Sequence, residues 1–229
     1  MNSVKITAYT VPVGEQTDSW TSPEQYIAWA ARVSNPGNQS NHDTGEKLLR
    51  YCLRKKHWSV FEQVSISMEI KAPRDVSRQI LRHQSFRFQE FSQRYAELSA
   101  DEIRLREARM QDATNRQTSI ECTDEWLQNT WESHQEEVAI TVMKAYRWAI
   151  KNGIAKECAR AVLPEGLTQS VLIMTGSVRS WIHYCEVRRS GETQKEHREI
   201  ADLCWEQLRQ ICPVVCAAVE DEEVRDGAM

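Results

Sequence analysis

Three arginines constrain this chain more than any other feature. Arg74, Arg78 and Arg82 fall at i, i+4 and i+8, so on a helix they share one face. Like charges one turn apart repel. No acidic residue in the stretch is spaced to neutralise them, since Asp75 lies one position round from Arg74. A chain that keeps such a face needs an anion against it: a phosphate, a carboxylate of a partner, or nucleic acid. The stretch that follows, Arg82 to Tyr95, adds Arg87, Arg94, His83, Glu90, Ser85 and Ser92, interleaved with Phe86, Phe88, Phe91 and Tyr95. A planar guanidinium donates two parallel hydrogen bonds to a phosphate. A solvated basic helix followed by a polar loop would explain one such arginine. The density here favours a binding site.

The rest of the composition narrows the ligand. The net charge is −4, which argues against a general nucleic-acid binder and makes the positive charge local. The expected ligand is therefore small and anionic. Seven cysteines, an odd number without a Cys-x-x-Cys pair, suggest neither a disulfide framework nor a zinc ribbon. Free thiols in a reducing cytosol fit better, so a cytoplasmic location is expected. The first residues carry no apolar signal core, and no window approaches a membrane span. No G-x-G-x-x-G, Walker loop or H-E-x-x-H occurs, and His57 and His83 are not spaced as metal ligands, so no metal is expected.

Along the chain, Val4 to Val11 reads as a strand. Ser22-Pro23-Glu24 starts a helix running to Ser34. A second helix is expected over Thr44 to Lys56. Alternation of Val64, Ile66, Met68 and Ile70 with polar residues predicts a half-buried strand, and Pro73 opens the arginine helix. Residues 97–122 are polar and weakly periodic, which predicts a loop or insertion. A long helix follows from Asp124 to Lys151, with Leu127, Trp131, His134, Val138, Val142, Ala145 and Ala149 as its expected buried stripe. His134 on that stripe reads as a core or interface residue, not a ligand. A short helix over 155–162, a strand over 167–174, helices over 177–188 and 193–211 and a last short helix after Pro213 complete the pattern. The acidic end, 220–229, is expected to fray. With 41% hydrophobic residues, no repeats and no low-complexity linker, the expectation is one α+β domain over 1–229, with helices around a small, mostly antiparallel sheet.

Arginines in apolar company are the better site candidates, because a buried charge is costly unless paired. Arg160 lies in Cys158-Ala159-Arg160-Ala161-Val162-Leu163-Pro164, and Arg179 and Arg188 flank Trp181-Ile182-His183-Tyr184. Cys185 has no evident base partner and reads as a small buried hydrophobe.

These segments carry a resemblance. Arg82-His83-Gln84, seven residues, then Ser92 resembles the Arg-His-Arg-x7-Ser signature of the flavin-dependent thymidylate synthases, and Gln89-Glu90-Phe91-Ser92-Gln93-Arg94-Tyr95 follows that family's continuation. Ala31-Arg32-Val33-Ser34, His57-Trp58-Ser59-Val60-Phe61-Glu62, Ala159 to Pro164, Arg179 through Arg188 and Gln194-x-Glu196 resemble further family segments in the same order. Three positions depart from the pattern. The third motif position is Gln84, with Arg87 where the family often has Ser, and Ser177 stands where Asn is usual.

The resemblance implies a homotetramer that binds FAD where subunits meet, accepts electrons from NADPH, takes a carbon from methylenetetrahydrofolate and converts dUMP to dTMP. By motif match, Ser34, His57, Ser59, Arg82, His83, Gln84, Glu90, Ser177, Arg179 and His183 would line the flavin. Gln79, Ser92, Arg94 and Arg160 would hold the nucleotide phosphate. Arg188 would be the catalytic residue, meeting the base carbonyl and stabilising charge on the ring. Two alternatives remain open at this level. One is a same-fold enzyme that methylates or hydroxymethylates another pyrimidine nucleotide such as dCMP. The second is a non-catalytic protein binding single-stranded nucleic acid through the Arg/Phe stretch.

Overall fold

The computed structural model describes residues 2–13, 22–99 and 102–227, with side chains described as far as 222. In chain order the elements are β1 (Ser3–Tyr9), α1 (Pro23–Ala31), α2 (Gly45–Arg54), β2 (Ser65–Pro73), α3 (Arg74–Ile80), β3 (Arg87–Glu90), β4 (Arg109–Gln111), β5 (Ser119–Glu121), α4 (Glu125–Lys151), α5 (Lys156–Ala159), β6 (Gln169–Ser177), α6 (Val178–Arg188), α7 (Lys195–Ile211) and α8 (Pro213–Gly227). The class is α+β, as expected. The main sheet is antiparallel throughout, in the order β1-β2-β6-β3.

β2 and β6 are the sheet's centre. Strand side chains alternate between faces, and Ile66, Met68, Ile70, Leu172 and Met174 all point to one fully buried side. In register, Met68 faces Met174 and Ile70 faces Leu172. That face packs with Trp181, Tyr184, Ile200, Cys204, Trp205 and Leu208 of α6 and α7 in a single core cluster. Each such side chain removed from water contributes about 1.5–3 kcal/mol. The Trp181 indole N–H donates to the Ile66 carbonyl at 3.0 Å, so its polar edge is satisfied inside the core. Gly176 of β6 has a packing reason to be glycine: a Cβ there would sit 2.4 Å from the Phe86 ring.

Several expectations shift. The strand β3 was not anticipated; it adds to the edge of β6 and sits inside the central arginine stretch. α3 ends at Ile80, so Arg82 lies in the turn beyond it and does not complete a three-arginine helix face. Residues 97–122 are mostly irregular but contain the β4–β5 hairpin, and Ile103 bridges to Thr168; residues 100 and 101 lie outside the described set. The α4 stripe agrees with the expected one at Ala149, which is buried, and Val142, which packs on the core, but differs elsewhere: Gln135, Met143 and Tyr146 are buried, while Trp131 and Val138 are exposed. His134 is exposed as well, with its ring 4.0 Å from Glu137. α8 runs to Gly227, and 228–229 lie outside the described residues.

Candidate active site

The site starts where β6 passes into α6. Ser177 caps the helix by accepting from the Ser180 N–H at 3.2 Å. The buried face of α6 carries Trp181, Ile182, Tyr184 and Cys185, which leaves Arg179, His183 and Arg188 on its other sides. The turn after α3 comes in against this helix because Phe86 is buried edge-on to Trp181, with ring centroids 4.8 Å apart. The turn thereby carries His83 to Tyr184, edge to face at 5.0 Å. The Nε of Arg188 donates to Nε2 of His83 at 3.0 Å. Burial, and then the Arg188 charge, push His83 down to about 4, so it is neutral at pH 7 and accepts at Nε2.

Behind His83 lies a second histidine. His197 of α7 is fully buried, with Nε2 3.2 Å from the Tyr184 hydroxyl and Nδ1 3.2 Å from Oε1 of Gln79. Burial first, then the Arg188 charge and, in acid, that of His83, lower it to about 3. Gln79 donates from Nε2 to Oε1 of Gln194 at 2.8 Å, and Gln194 donates to Glu196 at 2.9 Å. Glu196 pairs with Arg109 at 2.7 Å and lies 3.6 Å from Arg106. Burial alone would raise the Glu196 carboxyl. The Gln194 amide, its own backbone N–H, Arg109 and Arg106 outweigh that and hold it below the usual range.

The arginine face finds its counter-charge within the chain, which corrects the expectation of an outside anion there. Glu90, brought alongside by β3, pairs with both Arg74 and Arg78 and accepts from Ser170 at 2.9 Å, and Glu165 lies 3.5 Å from Arg74. Glu90, matched by motif to the flavin, is thus occupied by three donors of its own chain. Arg82 and Gln84 are exposed in the turn. Arg87 donates back to the Phe86 and Gln84 carbonyls at 3.0 and 3.4 Å.

The remaining candidates form outlying groups. Ser92 accepts the Arg94 N–H at 3.3 Å, and the Arg94 guanidinium lies 3.4 Å from Glu157. Arg160 is half-buried in the turn after α5. Arg179 pairs with Glu62, and His183 stacks at a tilt on Trp58 at 4.6 Å while its Nδ1 lies 3.2 Å from Glu186. His57 and Ser59 are exposed on the same 3-10 turn region as Trp58 and Glu62. Ser34 stands apart, in a surface depression with Arg32, Asn35 and Thr44. The structure therefore joins Gln79, His83 and Arg188 in one cluster. Among the described residues no hydrogen bond or ion pair links that cluster to Ser92, Arg94, His57 or Ser59. Cys185 is buried and its thiol is pushed well up by burial, in keeping with a packing role.

Sequence reasoning missed Tyr184 and His197 and gave Gln194 and Glu196 no role. A signal for His197 existed: it precedes Ile200, Ala201, Cys204 and Leu208 at helical spacing, on the buried stripe of α7. A cleft of about 890 Å³ borders the same end of α7, lined in part by Arg106, Arg109, Arg116, Gln194, Lys195 and Arg198.

The fold is shared with solved nucleotide methylases. Structures of the UMP/dUMP methylase PolB from Streptomyces cacaoi, bound with 5-Br dUMP or 5-Br UMP, superpose with TM-scores of 0.78 and 0.76 at 24% and 22% identity. They cover 96% of this chain and 95% and 94% of theirs, and at these identities the likeness is one of fold. A family model described as thymidylate synthase complementing protein matches residues 17–214, and the chain belongs to that family. A probable flavin-dependent thymidylate synthase of Paramecium bursaria Chlorella virus 1 is 44% identical over 95% of this chain and 99% of its own length. The flavin-dependent thymidylate synthase of Synechocystis sp. is 47% identical over 87% and 90%.

Proposed function

We propose that this chain reductively methylates dUMP to dTMP as an FAD-dependent enzyme, with methylenetetrahydrofolate as carbon donor and NADPH as reductant. The observation that carries this reading is the Arg188–His83 pair. His83 takes the Nε proton and so fixes the guanidinium plane. It is neutral, so it leaves the Arg188 charge undiminished. The Nη donors of Arg188 remain for a pyrimidine carbonyl, where positive charge stabilises a ring that gains electron density. Ser92, Arg94, Arg160 and Gln79 are all donors and suit the nucleotide phosphate.

Three of the residues matched to the flavin, Arg82, Arg179 and His183, also fit it chemically. Arg82 is exposed and has no carboxylate partner among the described residues, Arg179 is partly exposed, and His183 stacks beside Trp58. Guanidinium donors suit a diphosphate, and half-buried aromatic rings suit a flat heterocycle. When bound, FAD supplies the redox chemistry that a reductive methylation needs.

The homotetramer belongs to this reading. α4 turns Trp126, Ile140 and Trp148 outward with 72%, 70% and 62% of each residue exposed, an apolar face suited to a second subunit. We take 1–229 as one domain. Seven free cysteines suit a reducing, cytoplasmic setting, and among the described residues no helix is long and apolar enough to cross a membrane. The visible absorption spectrum tests the flavin directly. The purified protein should show a flavin band, or acquire one with micromolar FAD; a protein that stays colourless overturns the reading.

A further inference from the structure

The residues behind the pyrimidine site form one hydrogen-bonded line: Tyr184, His197, Gln79, Gln194, Glu196. Its direction follows from its last member. An ionised carboxylate only accepts, and Glu196 is held ionised by Arg109 and Arg106. Gln194 must therefore turn its amino group to Glu196, which leaves its Oε1 facing Gln79. Gln79 must answer that oxygen with its own amino group, which turns its Oε1 to His197. His197 must in turn carry its proton on Nδ1, and its Nε2 accepts from the Tyr184 hydroxyl. No member can reverse alone without setting two acceptors or two donors against each other in a line whose Tyr184–His197 end is fully buried, which leaves polar groups unsatisfied.

We propose that His197 and Glu196 are positioning residues for the nucleotide, fixing the Gln79 amide so that its second Nε2–H is presented to a phosphate oxygen. The inference rests on the dUMP reading above. Tyr184 and His197 are fully buried, whereas Gln79, like Gln194 and Glu196, is half-buried; Gln194 and Glu196 border the clefts along α7, and Gln79, nearest the buried histidine, keeps a side open to a ligand. Gln194 takes one amino hydrogen and no described acceptor takes the other. An amide free to rotate presents oxygen as readily as nitrogen, and oxygen facing a phosphate is repulsive. Holding the amide in advance removes that ordering cost from the binding step.

Two measurements on the flavin-loaded protein test this. The first is the tautomer of His197 by 15N NMR of histidine-labelled protein, assigned with His197→Leu. The line requires a protonated Nδ1 and an unprotonated Nε2; the opposite tautomer overturns the proposal. The second is binding of dUMP and of deoxyuridine to Glu196→Gln and His197→Leu. Glu196→Gln keeps shape but gives the line an end that can donate, so its direction is no longer fixed. Both variants should bind dUMP about 3- to 10-fold more weakly, the scale of one neutral hydrogen bond, with deoxyuridine and FAD binding unchanged. Parent-like dUMP binding in both variants, or an equal loss for deoxyuridine, overturns the proposal. If the parent itself takes up no dUMP, the functional reading fails, and the tautomer still decides the direction of the line.

Discussion

His83 and Arg188 sit against fully buried His197 and Tyr184, whereas Arg94 faces Glu157 with 54% and 56% of the two side chains in water. The inner group is tied by internal hydrogen bonds that leave over only the Arg188 Nη donors and one Gln79 amino hydrogen, and it cannot rearrange without breaking those bonds. The outer group is held by ion pairs of a kind that contribute about 0–1 kcal/mol when exposed. A phosphate can displace Glu157 from Arg94 at little cost, and a cofactor can displace Glu62 from Arg179. His83 is held against Arg188 by its edge-to-face contact with buried Tyr184 as well as by the hydrogen bond, so displacing it costs more. The inner region therefore sets geometry before the ligand arrives, while the outer region is completed by the ligand, or by another copy of the chain.

The largest effect should come from the inner region. Arg188→Ala should lower turnover by ~10²–10³, the scale for removing one charge-stabilising donor, while FAD stays bound. A loss of FAD together with turnover would show that Arg188 holds the fold and not the base. In the outer region, Arg94→Ala should weaken dUMP binding roughly 10- to 150-fold, as for a charge-assisted hydrogen bond of about 1.5–3 kcal/mol. Deoxyuridine should bind variant and parent alike. A matching loss for deoxyuridine would erase the distinction between the two regions at this residue.

Acid should separate them next. His83 and His197 are lowered to about 4 and about 3 in the fold, against about 6.5 unfolded. Between those values the unfolded chain binds more protons, so their contribution is fully present above pH 6.5 and is lost as pH falls towards 4. Glu24 acts in the opposite sense. Burial raises its carboxyl to about 7 even though it accepts the Val215 N–H at 2.7 Å, so its contribution is lost as pH rises from 4.5 to 7. The comparison that isolates the inner region is therefore parent against His197→Leu. Denaturant unfolding between pH 7 and pH 4 should show roughly 2–3 kcal/mol less pH-dependent loss in the variant. Equal slopes would mean that His197 is not held neutral.

The outer region was the more legible of the two from sequence, because it is built from short contiguous motifs. Ser92 with Arg94, and the 57–62 turn with its partner Arg179, lie in segments that keep their residues close along the chain. Helix starts were legible for the same local reason: Ser22 and Asp124 cap α1 and α4. The inner region depends on pairs far apart in sequence, such as His83 with Arg188 and Gln79 with His197. β3 was hidden because a four-residue strand is defined by its neighbour β6, and with it the pairing of Glu90 to Arg74 and Arg78 was hidden too. The α4 stripe was misplaced because the helix is apolar on two sides. Periodicity finds an apolar face but does not say which of two is covered by the same chain.

The most direct test is the mass of the product. The protein is incubated anaerobically with FAD, NADPH and methylenetetrahydrofolate, with dUMP and dCMP together in one reaction. A fixed Arg188 fork reading the C4 carbonyl, where cytosine carries an amino group that an arginine cannot pair with, predicts that dUMP is consumed and a nucleotide heavier by one CH2 group appears, with dCMP unchanged. Consumption of dCMP with dUMP left intact, or a product heavier by CH2O, would contradict the account.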